Sequence, residues 1–284
     1  RGEYGKVLKG SIIAPKGHTL IDCDSSQIEA RVLAWLAEQD DLLQAFTDGE
    51  DVYVKMAAVI YGVPEEKVTK QQRFVGKTTI LGCGYGMGAA RFKDQLQSFG
   101  FDIDLAEARR IVQIYRNENG DIYGLWRKAQ DMLADMTKNT ATPFGRGGVI
   151  IPTSTTFTRA AIRLPSGLNI LYSSLQWVQE EERIQYSFIK GRKRVGIYGG
   201  KVIENVCQAL ARCIIGEQIL DVVKKYRVVL TVHDSIICCV PDEELTQARE
   251  YVEACMRIAP KWAEGIPLDC ESGYGKSYGE CSDG

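Results

Sequence analysis

A chain of 284 residues, 45% hydrophobic and 25% charged, carries enough apolar content for one large core or two smaller ones, which excludes the disordered and fibrous classes. No run approaches the ~18 consecutive apolar residues of a membrane-spanning helix, and Arg1-Gly2-Glu3 opens no cleavable signal, so a cytoplasmic protein with no membrane partner is expected. The net charge of -2 argues against a polyanion partner for the chain as a whole, but its distribution is uneven: residues 141–201 hold nine Lys or Arg against three acids, whereas 234–284 hold four against eleven. The basic central segment either tracks phosphates or is a solvated face. Nine cysteines form no C-x-x-C pair, and with only His18 and His233 beside them, reduced buried thiols are expected rather than a zinc site. Arg1 in place of Met predicts a portion of a longer protein.

In chain order, Thr19 to Cys23 predicts a short strand leading to Asp24. Ser26-x-x-Glu29 then fits a capping box that opens a helix with Ile28, Val32, Trp35 and Leu36 on one face. A carboxylate at a strand end beside a helix start suits a metal; an edge strand followed by a capped helix describes the same residues. Val52 to Tyr61 predicts a second helix, stopped by Gly62 and Pro64. Glu65 to Leu81 predicts a third, with Arg73 and Lys77 four residues apart and Leu81 one turn further on. Like charges at that spacing cost an isolated helix roughly a few tenths of a kcal/mol, so an anion such as a triphosphate between them would help. A surface helix with two cations is the plainer alternative.

Gly76-Lys77-Thr78 ends like a phosphate-binding P-loop, but Gln71 stands where that motif needs glycine and the preceding stretch is polar. Gly84-x-Gly86-x-x-Ala89 lacks the strand a dinucleotide fingerprint requires. The run from Gly82 to Gly88 instead predicts a helix end where backbone comes close to a neighbour, with Tyr85 the one large ring presented there. Ala106 to Arg116 and Ile122 to Met136 predict helices, 143–152 a turn-rich segment, and Arg163 to Tyr172 a hairpin around Pro165-Ser166-Gly167. The basic stretch Lys190 to Arg194 and Tyr198-Gly-Gly-Lys201 follow. Val202 to Lys225 predicts a long helix carrying Asn205, Gln208 and Arg212. Val228 to Val240 predicts two apolar strands joined at the polar tip His233-Asp234-Ser235, before a helix from Asp242 to Ile258.

Two acids, Asp24 and Asp234, delivered by separate strands of a small antiparallel sheet would suit two Mg²⁺ ions, whose hard oxygen preference carboxylates satisfy. Arg73 and Lys77 would supply cations for the phosphates being transferred.

Three ordered signatures carry a resemblance: Asp24-Ser-Ser-Gln-Ile-Glu29-Ala-Arg31, Arg73-x-x-x-Lys77-x-x-x-Leu81-x-x-x-Tyr85-Gly86, and Val232-His233-Asp234. They are similar to motifs A, B and C of family A DNA polymerases, the class of bacterial DNA polymerase I and its phage relatives, and Tyr198-Gly-Gly-Lys-x-x-Glu-Asn-x-x-Gln208 resembles phage-type members. The resemblance implies an α+β fold, an antiparallel palm sheet backed by helices with a mainly helical fingers subdomain. It divides the chain into palm (1–44 and 201–284) and fingers (45–200).

It also implies a DNA-directed DNA polymerase acting on primer-template DNA and dNTP with two Mg²⁺ ions. Asp24 and Asp234, with the Ser25 carbonyl, would be metal ligands. Arg73 and Lys77 would hold the triphosphate, Lys77 would protonate pyrophosphate, and Tyr85 would stack near the templating position. Glu29 would close over the sugar, with Gln27 and Leu81 in the nucleotide pocket and His233, Gln208 and Arg31 on DNA. Leu81 stands where the family has Phe or Tyr, Ser25 where it has an aromatic, and Ser235 where most members have Glu. A catalytically idle, nucleic-acid-binding fragment is the competing expectation.

Overall fold

The structure is a computed structural model that describes residues 3–138, 140–154, 159–180 and 183–283. Close contacts divide the chain into two units, residues 1–28 with 211–284, and residues 29–210.

The first unit opens with α1 (Glu3–Ser11) and β1 (His18–Ser25). The second begins within α2 (Ile28–Ala37) and continues through α3 (Asp40–Thr47), α4 (Val52–Tyr61), α5 (Lys70–Cys83), α6 (Ala89–Ser98), α7 (Leu105–Glu118) and α8 (Gly120–Lys138). It then turns to strands β2 (Ile151–Ser154), β3 (Arg159–Arg163), β4 (Asn169–Ser173), β5 (Gln176–Glu180), β6 (Arg183–Lys190) and β7 (Lys193–Ile197). Helix α9 (Gly199–Val222) returns the chain to the first unit, where β8 (Arg227–Val232), β9 (Ser235–Pro241), α10 (Leu245–Met256) and β10 (Cys270–Gly275) follow.

In the first unit the strands form one antiparallel sheet in the order β10-β1-β9-β8. Alternation along β1 puts Ile21 and Cys23 on the face covered by α10, whose Ala248, Val252, Cys255 and Met256 are buried there. On the other face Leu20 and Ile237 pack with Tyr278 and Cys281. The helix-backed antiparallel sheet is the α+β arrangement expected.

Glu253 ties α10 to β10. Its carboxylate accepts hydrogen bonds from Ser272 Oγ, from Arg249 Nε at 3.1 Å and from Arg257 Nη1 at 3.3 Å. These donors, Ser272 first, hold its pKa below the usual carboxylate value of 4.5. A depressed folded-state pKa contributes stability that is fully present above the unfolded value and is lost as pH falls through the folded one. Below pH 4.5 the wild type is therefore expected to lose unfolding free energy more steeply than Glu253→Gln, as urea titrations at stepped pH would show.

In the second unit α4, α5 and α7 pack together, and Phe74 of α5 stacks on Phe101 at 5.0 Å and meets Phe99 edge-on at 5.2 Å. Two three-stranded antiparallel sheets occupy residues 151–197, β2-β3-β4 and β5-β6-β7. The sequence anticipated one hairpin here. β3 and β4 form it around Pro165-Ser166-Gly167, while the other strands are half-exposed and mix charges with apolar residues, which blurs the two-residue period.

Two local expectations are corrected. Asp24 lies within β1 rather than after it, and α2 starts at Ile28, not Ser26, because Ser26 and Gln27 form a turn with Gln27 at φ 49°. Helix α5 starts at Lys70; Glu65–Lys67 forms a separate 3₁₀ turn, and Thr69 caps α5 with Gln72 in a reciprocal capping box.

Candidate active site

The first unit gathers carboxylates at one end of its sheet. In β1, Asp24 is paired with Ser235 on one side and with Glu271 on the other. Asp234 occupies the tight turn between β8 and β9, where His233 takes φ 55° and the Asp234 carbonyl accepts the Ser25 N–H at 3.3 Å. That backbone bond fixes the turn against the end of β1.

Burial, followed by the charges of Asp234, Asp22 and Glu271, pushes the Asp24 carboxyl up to about 6; only Lys9 opposes the shift. A divalent cation would relieve this repulsion, and the donors are the hard oxygens Mg²⁺ prefers. The acids fit such an ion in chemistry. Among the described residues, however, no group of three or more His, Cys, Asp or Glu stands in metal-binding geometry.

Asp22 shares the Asp24 face of the strand but has a different environment. It is half-buried, its pKa is raised by burial, and Ser235 Oγ donates a hydrogen bond to Asp22 Oδ1. Asp24 is exposed. Ser235 thus supplies a hydroxyl to Asp22, a role the spacing did not reveal. Ser25 is 1% exposed, and its Oγ has no hydrogen-bond partner among the described residues. Alternation turns that side chain to the face opposite Asp24, which leaves only its backbone carbonyl as a donor there.

The second unit carries the candidate cations on α5. One side of α5 is buried, but Lys77 and Leu81 are exposed and Arg73 is half-exposed, so the three line one open stripe of the helix. Gly76-Lys77-Thr78 lies inside a helix, as excluding a P-loop requires. The sequence missed what surrounds the cations. Arg73 Nε donates to Asp51 Oδ2 at 2.6 Å, while Asp51 Oδ1 caps α4 by accepting from Tyr53 N and Val54 N. The Tyr53 ring lies 5.4 Å from the Arg73 guanidinium and 5.7 Å from Lys77 Nζ. One aromatic face thus offsets the repulsion between two cations at helical spacing. The Asp48-Gly-Glu-Asp51 run signalled a helix cap, but nothing in it linked Asp51 to Arg73.

Helix α5 ends in the glycine run. Trp126 Nε1 donates to the Gly84 carbonyl at 2.9 Å, and the Tyr85 hydroxyl donates to the Glu29 carbonyl at 3.4 Å. Burial first, then nearby Cys207 and Glu29, pushes the Tyr85 pKa well above its ordinary value, so it stays a donor. The Tyr198-Gly-Gly segment meets this turn. A Cβ on Gly200 would lie 2.6 Å from the Tyr85 carbonyl oxygen, and one on Gly199 would lie 2.0 Å from the Trp126 carbonyl oxygen. Only glycine permits that approach.

Gly199→Ala is expected to lower stability by about 2–3 kcal/mol. Gly216→Ala, in the same helix but facing open space, is expected to raise it by about 0.5–1 kcal/mol. Denaturant unfolding of the two variants checks both signs.

The remaining candidates differ in exposure. Gln208 is exposed on α9, His233 is exposed at the hairpin tip, and Gln27 and Glu29 are half-buried around the start of α2. Arg31 is only 5% exposed, with its guanidinium 4.7 Å from the Phe46 ring, so it packs within the second unit rather than facing solvent.

A family model described as DNA polymerase family A matches residues 1–165, more than half of the chain. The chain belongs to DNA polymerase family A. This family A chain is 28% identical over 282 residues to a DNA polymerase of Bacillus phage SP02, covering 94% of the chain and 42% of that protein. It is 28% identical over 280 residues to DNA polymerase I of Pseudomonas aeruginosa, covering 99% of the chain and 27% of the relative. The family A chain thus spans less than half the length of these relatives. Its fold also matches the POL domain of Pol1 from M. smegmatis, solved in complex with DNA primer-template and dNTP, with a TM-score of 0.70 at 22% identity over 99% of this chain and 44% of that one. No helix among the described residues is long and apolar enough to cross a membrane.

Proposed function

We propose that this chain is the catalytic portion of a template-directed DNA polymerase, which joins the α-phosphate of a dNTP to a primer 3'-hydroxyl with release of pyrophosphate. The observation that carries this reading is the meeting of Asp24 and Asp234 at one end of the sheet, with Asp24 pushed up to about 6 by burial and neighbouring acids. In this reading residues 1–44 and 201–284 are the palm and 45–200 the fingers. Asp24 and Asp234, with the Ser25 carbonyl, would hold two Mg²⁺ ions. Bound there, the ions would supply charge stabilisation for the oxygens that attack and leave.

The chain's own residues do the rest. Arg73 and Lys77 bind the triphosphate, with Tyr53 beneath both cations and Asp51 holding Arg73 in place until phosphate oxygens compete for it. Lys77 carries the proton given to departing pyrophosphate, because its ammonium is exposed and has no carboxylate partner among the described residues. Tyr85, fixed by the Glu29 carbonyl, offers its ring at the templating position and sets Glu29 against the sugar. Leu81 leaves the sugar pocket without the ring other members place there, and Gln27 would contact the nucleotide. His233 and Gln208 contact the primer terminus and the minor groove. Arg31 supports the second unit from within instead of touching DNA.

An idle DNA-binding chain is the second reading, favoured by Ser235, which supplies a hydroxyl where the family has a carboxylate. Mg²⁺-dependent primer extension by the full-length protein separates the two. Extension that requires template supports the polymerase, whereas primer-template binding with no extension supports the idle chain.

A further inference from the structure

Sheet β5-β6-β7 carries a feature that the polymerase reading leaves unused. Its β6–β7 hairpin closes through Gly191 and Arg192, with Gly191 at φ 62°. Lys190, Arg192, Lys193 and Arg194 crowd the tip with no acid between them, and all four are exposed. Lys190 and Lys193 are direct cross-strand partners, an arrangement that repels unless an anion lies between them. Among the described residues neither lysine nor Arg192 has an ion pair, although Arg73, Arg110, Arg249 and Arg257 each do.

The base of the hairpin is anchored. Arg194 Nη1 donates to the Ser174 carbonyl at 3.1 Å and to the Ser187 carbonyl at 3.2 Å. Phe188 of β6 meets Tyr172 edge-on at 5.1 Å, and the Tyr172 hydroxyl accepts from Asn205 Nδ2 of α9 at 3.2 Å. An ordered backbone turn lowers the entropy cost of presenting its cations to a polyanion.

The hairpin's position sets what it can reach. Strand β7 runs from the tip into Tyr198-Gly-Gly, and Gly200 abuts the Tyr85 carbonyl. The five residues of β7 span roughly 17 Å, so the tip projects away from the Tyr198-Gly-Gly segment along one strand.

Resting on the polymerase reading, we propose that the Lys190–Lys193 turn is a DNA-backbone contact, gripping phosphates of the bound strand. It supplies sequence-independent affinity and takes no part in chemistry.

The test is primer-template binding by the full-length protein across a salt series, with extension measured in parallel. Lys190→Ala/Arg192→Ala/Lys193→Ala is expected to weaken binding about tenfold at low salt. It should also reduce the slope of log affinity against log salt by about 2 to 3, with the extension rate at saturating DNA unchanged. The charge-retaining Lys190→Arg/Lys193→Arg variant is expected to match the wild type. A triple variant with the wild-type slope overturns the proposal, as does a charge-retaining variant equally impaired. Either result beside intact wild-type extension leaves the polymerase reading standing, whereas a wild type that neither binds nor extends removes both.

Discussion

Asp24→Asn in the full-length protein is expected to slow primer extension about 1,000-fold or more, equivalent to about 4 kcal/mol in the barrier, while primer-template affinity changes by less than about threefold. Asparagine keeps the shape of the side chain and removes the charge that would hold a cation. Asp22→Asn is expected to cost far less, because Asp22 is half-buried and engaged by Ser235 Oγ, whereas Asp24 is exposed at the end where Asp234 arrives. Single-turnover extension at saturating DNA and dNTP checks both. Equal losses in the two variants would mean that the two acids act as one ligand set, and an undiminished Asp24→Asn would remove the metal assignment.

The second large effect concerns α5. Lys77→Ala is expected to lower kcat about 100- to 1,000-fold, since on the proposed reading the exposed ammonium would both offset charge on the transferred phosphoryl group and carry the proton for pyrophosphate. Arg73→Ala is expected to act mainly on dNTP affinity, raising KM about tenfold or more. The reason for the split is geometric: Arg73 is already committed to Asp51 at 2.6 Å, so its contribution is made in binding. Asp51→Asn tests the link, because it frees Arg73 while the amide oxygen still caps α4. Steady-state kinetics for the three variants should show a kcat defect for Lys77→Ala and KM-centred changes for the other two. A kcat collapse in Arg73→Ala with KM unchanged would contradict this division of roles.

Much of this was legible in the sequence where local signals were strong. Apolar runs bounded by Pro241 and the His233-Asp234-Ser235 tip gave the β8–β9 hairpin, and the helical period gave α4, α7, α8 and α9. The ordered motifs carried the family. What was lost depends on contacts distant in sequence. Nothing before the fold pairs Asp51 with Arg73, places Tyr53 under two cations, or sets Glu271 opposite Asp24, because each link joins separate elements. The helix expected from Ser26 begins at Ile28 for a local reason, the left-handed turn at Gln27. Strands β5 to β7 were illegible because half-exposed sheets need no clean alternation of apolar and polar residues.

The most direct test of the central claim is single-nucleotide incorporation by the full-length protein, with each of the four dNTPs supplied alone to a primer whose next template base is known. The account predicts that, with Mg²⁺, only the complementary dNTP is added, that changing the template base changes which one is accepted, and that chelating the metal stops the reaction. Addition of any dNTP regardless of the template base, or no addition with the metal present, would contradict it.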